Sequence, residues 1–370
     1  CSSCFGCSGL RNKNYCIFNQ EYERDVYLKK LGEMKLNTWS GLQKARKKAM
    51  NFWMKSPVKY RHSTQVSNSS GDYLYNGKEL KDCFFVGNAQ NMKYCQSVIY
   101  PPNNDSYDVT SSEGTELSCE ILSCGRGAHG NVAVVETANS SNCYYSINCR
   151  NVSNCFGCVA LRSKKYCIFN KQYSKEEYFK LLPQITKHMD EMPYTDKMSR
   201  VYKFGEFFPV DMAAHGYGQS QAFEYFPITE KEANEKGYVW KEQESRHYSI
   251  SKKASELPDS IKEVSDQIFE EVIQCEHIES NTHSTGCDID CATAFRINKQ
   301  ELDFYRQMNL PLPRLCFNCR HLDRVKWRNP PILYKRKCMK EGCSNEFETS
   351  YSPDRPEIVY CESCYNKEIY

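Results

Sequence analysis

Between Asn142 and Cys167 small or apolar residues recur at every sixth position, as Cys143, Cys149, Cys155, Leu161 and Cys167. Asn142, Asn148 and Asn154 each precede one of them, and upstream Cys83, Ala89 and Cys95 keep the same step. A short fixed period of small, buryable residues predicts a parallel β-solenoid, whose coils stack equivalent side chains into an internal ladder. Cysteine suits the ladder because it behaves as a small hydrophobe. Asparagine suits the corners because it tolerates left-handed backbone. The expected fold class is mainly β with helical connectors.

A longer repeat lies over this rhythm. Cys4-FGCSGLRNKNYCIFN-Asn19 returns as Cys155-FGCVALRSKKYCIFN-Asn170. Each copy runs on into a helical pattern. In the second, Ser174 and Glu177 form a capping box for a helix reaching about Met189, with Tyr178, Leu181, Leu182 and Ile185 on its apolar face. The first copy predicts a helix from about Glu23 to Met34 and a second, basic one near Thr38 to Met54. Such helices suit the open ends of a solenoid, which need covering. Thr229 and Glu232 open another short helix that Gly237 closes, and residues 256–273 read as an amphipathic helix with Ile261, Val264, Ile268 and Val272 on one face.

The cysteines divide into two sets. Thirteen of the 22 lie between Cys1 and Cys167 and nine between Cys275 and Cys364, with none in the intervening spacer. A stacked, inert core accounts for the first set, although the C-x2-C of each CFGC leaves a metal or iron–sulfur site, or redox disulfides, as alternatives. The second set is spaced for metal. Cys338-MKEG-Cys343 followed by Cys361-ES-Cys364 supplies two short-spaced pairs, the arrangement a tetrahedral structural zinc takes. The strand-like FETSY and PEIVY segments are expected to form a hairpin between the knuckles. A first ribbon is expected from Cys287, Cys291, Cys316 and Cys319, with Cys275 able to replace Cys287; Cys291-ATAF and Cys343-SNEF both place phenylalanine four residues after the cysteine. His277, His283 and His321 lie nearby but are read as solvated. Two structural zinc ions are thus predicted, in closed sites that leave no position for an activated water.

Between the ribbons the chain turns basic: Arg314, Arg320, Arg324, Lys326, Arg328, Lys335, Arg336 and Lys337, with Trp327 interleaved. Cations that meet phosphates beside a ring that stacks on bases make RNA or a ribonucleoprotein one expected partner. An acidic protein surface, or a merely solvated face, remains open. Net charge is only +3, so the argument rests on clustering. The glycine-rich run Gly125–Gly130 lacks the ending of a phosphate loop and is read as a solenoid loop. No GxSxG, HExxH or defensible carboxylate pair occurs, so no enzyme and no small-molecule substrate is expected. No apolar run is long enough to span a bilayer, which predicts a soluble chain without a membrane partner. Cysteine usage in a chain of 370 residues points to the cytoplasm or another reducing compartment. Cys1 standing inside a cysteine-rich pattern predicts that the sequence begins within a longer protein.

The segments NCFGCVALRSKKYCIFNKQYSKEEY, EFFP…YFPIT…GYVW and FRINKQELDFYRQMNLPLPRLCFNCRH…SYSPDRPEIVYCESCY resemble a bacterial family of long, cysteine-rich proteins to which no activity is assigned. The resemblance implies alternating β-solenoid and zinc-ribbon modules. The organisation expected is the end of a solenoid at 1–22, a helical connector at 23–57, the solenoid at 58–173 and a capping helix at 174–190. A spacer with the amphipathic helix follows at 191–274, then ribbons at 275–330 and 331–370. Function is expected to be non-catalytic: binding through the basic ribbon region, or a scaffold assembling through the solenoid, with a thiol-redox or iron–sulfur protein as the remaining alternative.

Overall fold

The computed structural model describes residues 1–241, 248–280 and 291–369. Its centre is a parallel β-solenoid of about nine turns, running from Ser63 to Gln172. Most successive coils are offset by twelve residues: Gly71 pairs with Cys83, Cys143 with Cys155 and Cys155 with Cys167. Around Pro101-Pro102 the coil is longer, and Val98 pairs with Ser112.

The inward period is three, not the six that the cysteines suggest. Leu74, Gly77, Leu80, Cys83, Val86, Ala89, Met92, Cys95 and Val98 are all buried. The residue before each has positive φ: Tyr73, Asn76, Glu79, Asp82, Phe85, Asn88, Asn91, Tyr94 and Ser97. Each coil is therefore four three-residue sides, each turned by one left-handed residue and each sending one side chain inward. Asparagine takes many corners for the expected reason, and stacked corner amides hydrogen-bond along the axis, Asn76 to Asn88 at 2.8 Å and Asn139 to Asn151 at 2.7 Å.

A three-residue side leaves room for small inward groups, and the interior chemistry follows. Ser106, Ser118 and Ser146 donate their hydroxyls to the carbonyl two residues back, at 2.8–3.1 Å. The thiols of Cys83 and Cys143 point at the same carbonyl, both at 3.4 Å. Serine and cysteine thus fill equivalent interior positions. Serine, threonine and asparagine prevail in the middle coils, and cysteine with aliphatic residues toward the two ends.

Residues 1–19 form a further coil of the same geometry, with Ser2 bridged to Asn14 and Phe5 to Ile17, again twelve apart. Both copies of the long repeat end in the same way. Cys16–Ile17 folds back antiparallel on Gln20–Glu21, and Cys167–Ile168 on Lys171–Gln172. A helix follows each: α1 (Arg24–Glu33) and α3 (Lys175–Glu191), with α2 (Trp39–Trp53) after the first. The predicted box at Ser174 caps α3, with Glu177 N–H donating to the serine hydroxyl at 3.2 Å. Tyr178, fully buried, packs with Phe156 and Ile168 on an outer face of the solenoid, joined by Leu181, Leu182 and Ile185.

The helix expected over 256–273 is not formed. Short 3-10 turns at Ala254–Glu256, Ile261–Glu263 and Asp266–Phe269 stand in its place. The apolar positions are nonetheless buried. Ile261, Val264 and Ile268 join Leu257, Ile297, Leu302 and Leu312 in a second core, so the 3.6-residue spacing reported burial rather than helix.

Candidate metal centres

Four sulfurs meet at each of two points, and the ligand atoms of each group all lie within 4.8 Å of one another. The first group is Cys275, Cys291, Cys316 and Cys319, and the second is Cys338, Cys343, Cys361 and Cys364. Cys275, the alternative ligand, takes the fourth place in the first group, and Cys287 lies outside the described residues.

Both centres are built on one plan. Two cysteines come from a strand-bearing knuckle and two from the first turn of a helix. In the first, Ile273–Gln274 pairs antiparallel with Ala294–Phe295, which carries Cys275 and Cys291 to the same end of the ladder. Cys316 is the N-cap of the helix Phe317–Val325, and Cys319 lies in its first turn. In the second, Tyr334–Lys337 pairs with Glu346–Thr349, and Cys338 and Cys343 sit in the turn between them, where Gly342 takes φ +77°. Cys361 and Cys364 flank the start of the helix Glu362–Ile369. A helix N-terminus favours negative charge, and so favours thiolate over thiol.

The sulfur spacing can be compared with what a metal requires. Sulfurs held tetrahedrally at about 2.3 Å from one ion stand about 3.8 Å apart. Cys275 and Cys319 are 3.8 Å apart, Cys291 and Cys316 3.9 Å, and Cys343 and Cys361 3.9 Å. Backbone N–H groups point at the sulfurs as they do at metal thiolates: Cys316 to Cys275 at 3.3 Å, and Cys361 to Cys338 at 3.3 Å. In the second centre hydrogen bonds from Ser363 and Asn345 outweigh the upward push of burial on Cys361 and bring it down to about 6, while Cys343 and Cys361 drive Cys364 up to about 12. Four such sulfurs ionise together only around a cation. The donor set fits a metal ion, and a full set of four protein ligands closes the site to substrate.

The neighbouring histidines separate. His321 bonds Glu224 at 2.7 Å, away from the sulfurs, whereas Nδ1 of buried His277 lies 3.7 Å from Cys319. His283 lies outside the described residues.

The ribbon geometry departs from expectation in one respect. FETSY pairs with Tyr334–Lys337, but the strand of PEIVY does not complete the hairpin, although the Val359 carbonyl still accepts from Met339 N–H at 3.0 Å. Val359–Tyr360 instead pairs in parallel with Val58–Lys59, at the start of the solenoid. Thr349 donates to the Tyr60 carbonyl at 2.7 Å, Phe347 packs its ring on Tyr60, and Ser350 donates to buried Asp72 at 2.5 Å. The second centre is thereby fixed to the first coil, some three hundred residues away in sequence.

The basic segment is largely engaged within the chain. Arg314 donates to the carbonyls of Ala254 and Leu257 and lies over Trp39. Arg320 holds Tyr305 and Glu301, and Arg328 holds Glu224. Lys326 pairs with Asp323, Lys337 with Glu346, and Arg336 donates to Ser352. Arg324, Lys335 and Trp327 face solvent.

The fold and the two centres define a β-solenoid protein with paired four-cysteine sites able to hold metal. No protein-family model, curated protein or solved structure matches the chain. Among the described residues every cysteine is a free thiol, and no helix is long and apolar enough to cross a membrane.

Proposed function

We propose that this chain is a non-catalytic scaffold held by two structural zinc ions, one of which braces the solenoid. The observation that carries the reading is the docking of the second four-sulfur centre on the solenoid's first coil. A closed metal site joined by strand pairing to a repeat array serves to hold structure, since it has no open position for chemistry. The ribbon covers one end of the solenoid while the Cys167–Gln172 hairpin covers the other. Repeat arrays need such caps to remain free of edge pairing.

The surface such a scaffold would offer is an outer column of Leu122, Val135, Ile147 and Val159, stacked in register on adjacent coils. Leu122 is 39% exposed and Val159 52%. The neighbouring column, which includes Tyr144, Phe156 and Ile168, is covered by α3 and by Phe204. A protein partner is favoured over RNA because most of the arginines and lysines of the ribbon region already hold intramolecular contacts. The test is sedimentation of the natively purified chain. It is expected to migrate above its monomer mass, alone or with a co-purifying protein, and to revert to monomer when Val135 and Ile147 are both changed to lysine. A monomer at every concentration, with nothing co-purifying, overturns the scaffold reading.

A further inference from the structure

The two copies of the long repeat end in matching platforms. In the first, Phe18 lies edge-on to Phe5 with centroids 6.1 Å apart and planes at 82°. In the second, Phe169 meets Phe156 at 6.2 Å and 82°. Each outer ring occupies the space over a glycine, where a Cβ on Gly6 would come within 2.4 Å of Phe18 and one on Gly157 within 2.5 Å of Phe169. The asparagine after each ring clasps the backbone eleven residues earlier. Asn19 accepts from Ser8 N–H at 3.0 Å and donates to the Ser8 carbonyl at 2.7 Å, and Asn170 makes both bonds with Val159 at 2.9 Å. The helix that follows each copy buries an equivalent tyrosine, Tyr27 or Tyr178. One surface is therefore built twice in this chain.

The copies differ in what lies over that surface. On the first sits α2. Phe52 packs on Phe18 with centroids 5.6 Å apart, Lys48 Nζ stands 4.7 Å from the centre of the same ring, and Trp53 donates from Nε1 to the Gly6 carbonyl at 3.1 Å. The second copy has no such helix among the described residues. There α3 runs on to Glu191, and the segment beyond it packs Phe204 and Phe208 on Tyr145, one coil away from Gly157. Phe169 is left 70% exposed, and Phe156 is its one ring contact among the described residues. No described residue donates to the Gly157 carbonyl. Val159 stands where the first copy has Ser8, so the bare platform is also the more apolar of the two.

We propose that the Phe169 platform is the docking site for an α2-like helix of a partner protein, basic and amphipathic, with an aromatic pair four and five residues after a lysine. The first copy shows how such a helix is held, and the second offers the same ring over the same glycine carbonyl. A phenylalanine already fixed against a glycine gives an aromatic anchor that loses little freedom on binding. A lysine over its face adds a cation–π contact, and the carbonyl sets the register of the helix. The α2 of a second copy is engaged on its own Phe18, which leaves the place to another protein. This inference goes beyond the scaffold reading and turns on Phe169 rather than on Val135 and Ile147, so either can fail alone.

Calorimetric titration of the intact, metal-replete chain with a synthetic peptide of residues 38–54 tests the proposal. The expected Kd is on the order of 100 µM or tighter. Phe169→Ala should weaken the peptide ~10-fold or more, and should barely move thermal unfolding because the ring is exposed. Phe18→Ala should leave the titration unchanged, which separates the bare platform from displacement of the chain's own α2. A peptide with Phe52 and Trp53 both changed to alanine should bind at least ~10-fold more weakly. No binding at about 1 mM peptide, binding that survives Phe169→Ala, or binding indifferent to the peptide's aromatic pair would each overturn the proposal. Self-association of the chain alone that Phe169→Ala abolishes would give the surface to a second copy and overturn the helix partner.

Discussion

Asp72 shows how much of the assembly rests on single side chains. Its carboxylate is buried at the seam between ribbon and solenoid and takes hydrogen bonds from His62 N–H at 2.6 Å, Tyr73 N–H at 2.9 Å and the Ser350 hydroxyl at 2.5 Å, with His62 Nδ1 at 3.3 Å. Burial by itself would raise its pKa, but the bonds from His62 and Ser350 outweigh it and hold the group below its ordinary 3.8. A carboxylate depressed in the folded state adds stability that is complete above its unfolded pKa and is lost as pH falls through the lower folded value. The acid limb of unfolding should therefore include Asp72, and Asp72→Asn should flatten it. At neutral pH the same substitution should cost ~1.5–3 kcal/mol in urea unfolding, the worth of hydrogen bonds to a charged group. An Asp72→Asn chain as stable as the parent at pH 7 would remove the seam from the account. The interior thiols make a second residue-scale case. Burial lifts Cys124 to about 11, and its bond with Cys143, with burial added, lifts Cys155 to about 12. Thiolate is the reactive form, so Cys95, Cys124, Cys149, Cys155, Cys158 and Cys167, all buried and all pushed up, should react with a thiol reagent only at the rate of unfolding. Fast labelling of these positions in the folded chain would favour the redox reading instead.

At the scale of elements, the solenoid, α1 to α3 and the short helix after Thr229 were legible in the sequence, whereas Lys299–Gln307, Phe317–Val325 and Glu362–Ile369 were not expected as helices. Thr38 caps α2 and Met54 ends it, as the sequence reading placed them, and Ser174 and Thr229 open their helices through complete capping boxes. The solenoid's true period was concealed because the rhythm of Cys143, Cys149, Cys155, Leu161 and Cys167 samples every second inward position, with Ser146, Val152 and Cys158 buried between them. The burial stripe of 256–273 imitated a helix because successive 3-10 turns also return apolar residues to one side. What no local pattern revealed was the destination of Val359–Tyr360. A two-residue parallel pairing across 301 residues of chain leaves no periodic trace. That pairing has a measurable consequence. If the metal holds the ribbon in shape for docking, chelation should speed amide hydrogen exchange at Val58, Tyr60 and Leu74 while the Ala138–Tyr144 and Arg150–Phe156 strands stay protected. Equal exchange in both regions before and after chelation would separate the ribbon from the solenoid's stability.

In the whole molecule the C-terminal ribbon lies where the chain begins. Its last helix reaches the N-terminal coil, where a Cβ on Gly9 would stand 2.8 Å from Ile369, and Lys59 and Glu362 close the same junction. The first centre is tied in separately: Asp259, at the surface beside the second core, accepts from the backbone and hydroxyl of Ser40 at the start of α2. The two four-cysteine centres thus connect helices, coil and solenoid that are far apart in sequence, and any metal they hold is expected to bind in a manner coupled to the folding of the regions joined. The four-cysteine composition of each centre was readable from spacing. The choice of Cys275 was readable only as an alternative, because C-x3-C at Cys287 and Cys291 offers the shorter chelate. Native mass spectrometry of the intact chain tests the central claim most directly. The account predicts two zinc ions per molecule and no iron, falling to one zinc when Cys338 and Cys361 are both changed to serine and to one when Cys275 and Cys316 are. A chain that carries no metal, or whose metal count is untouched by either pair of substitutions, would contradict it.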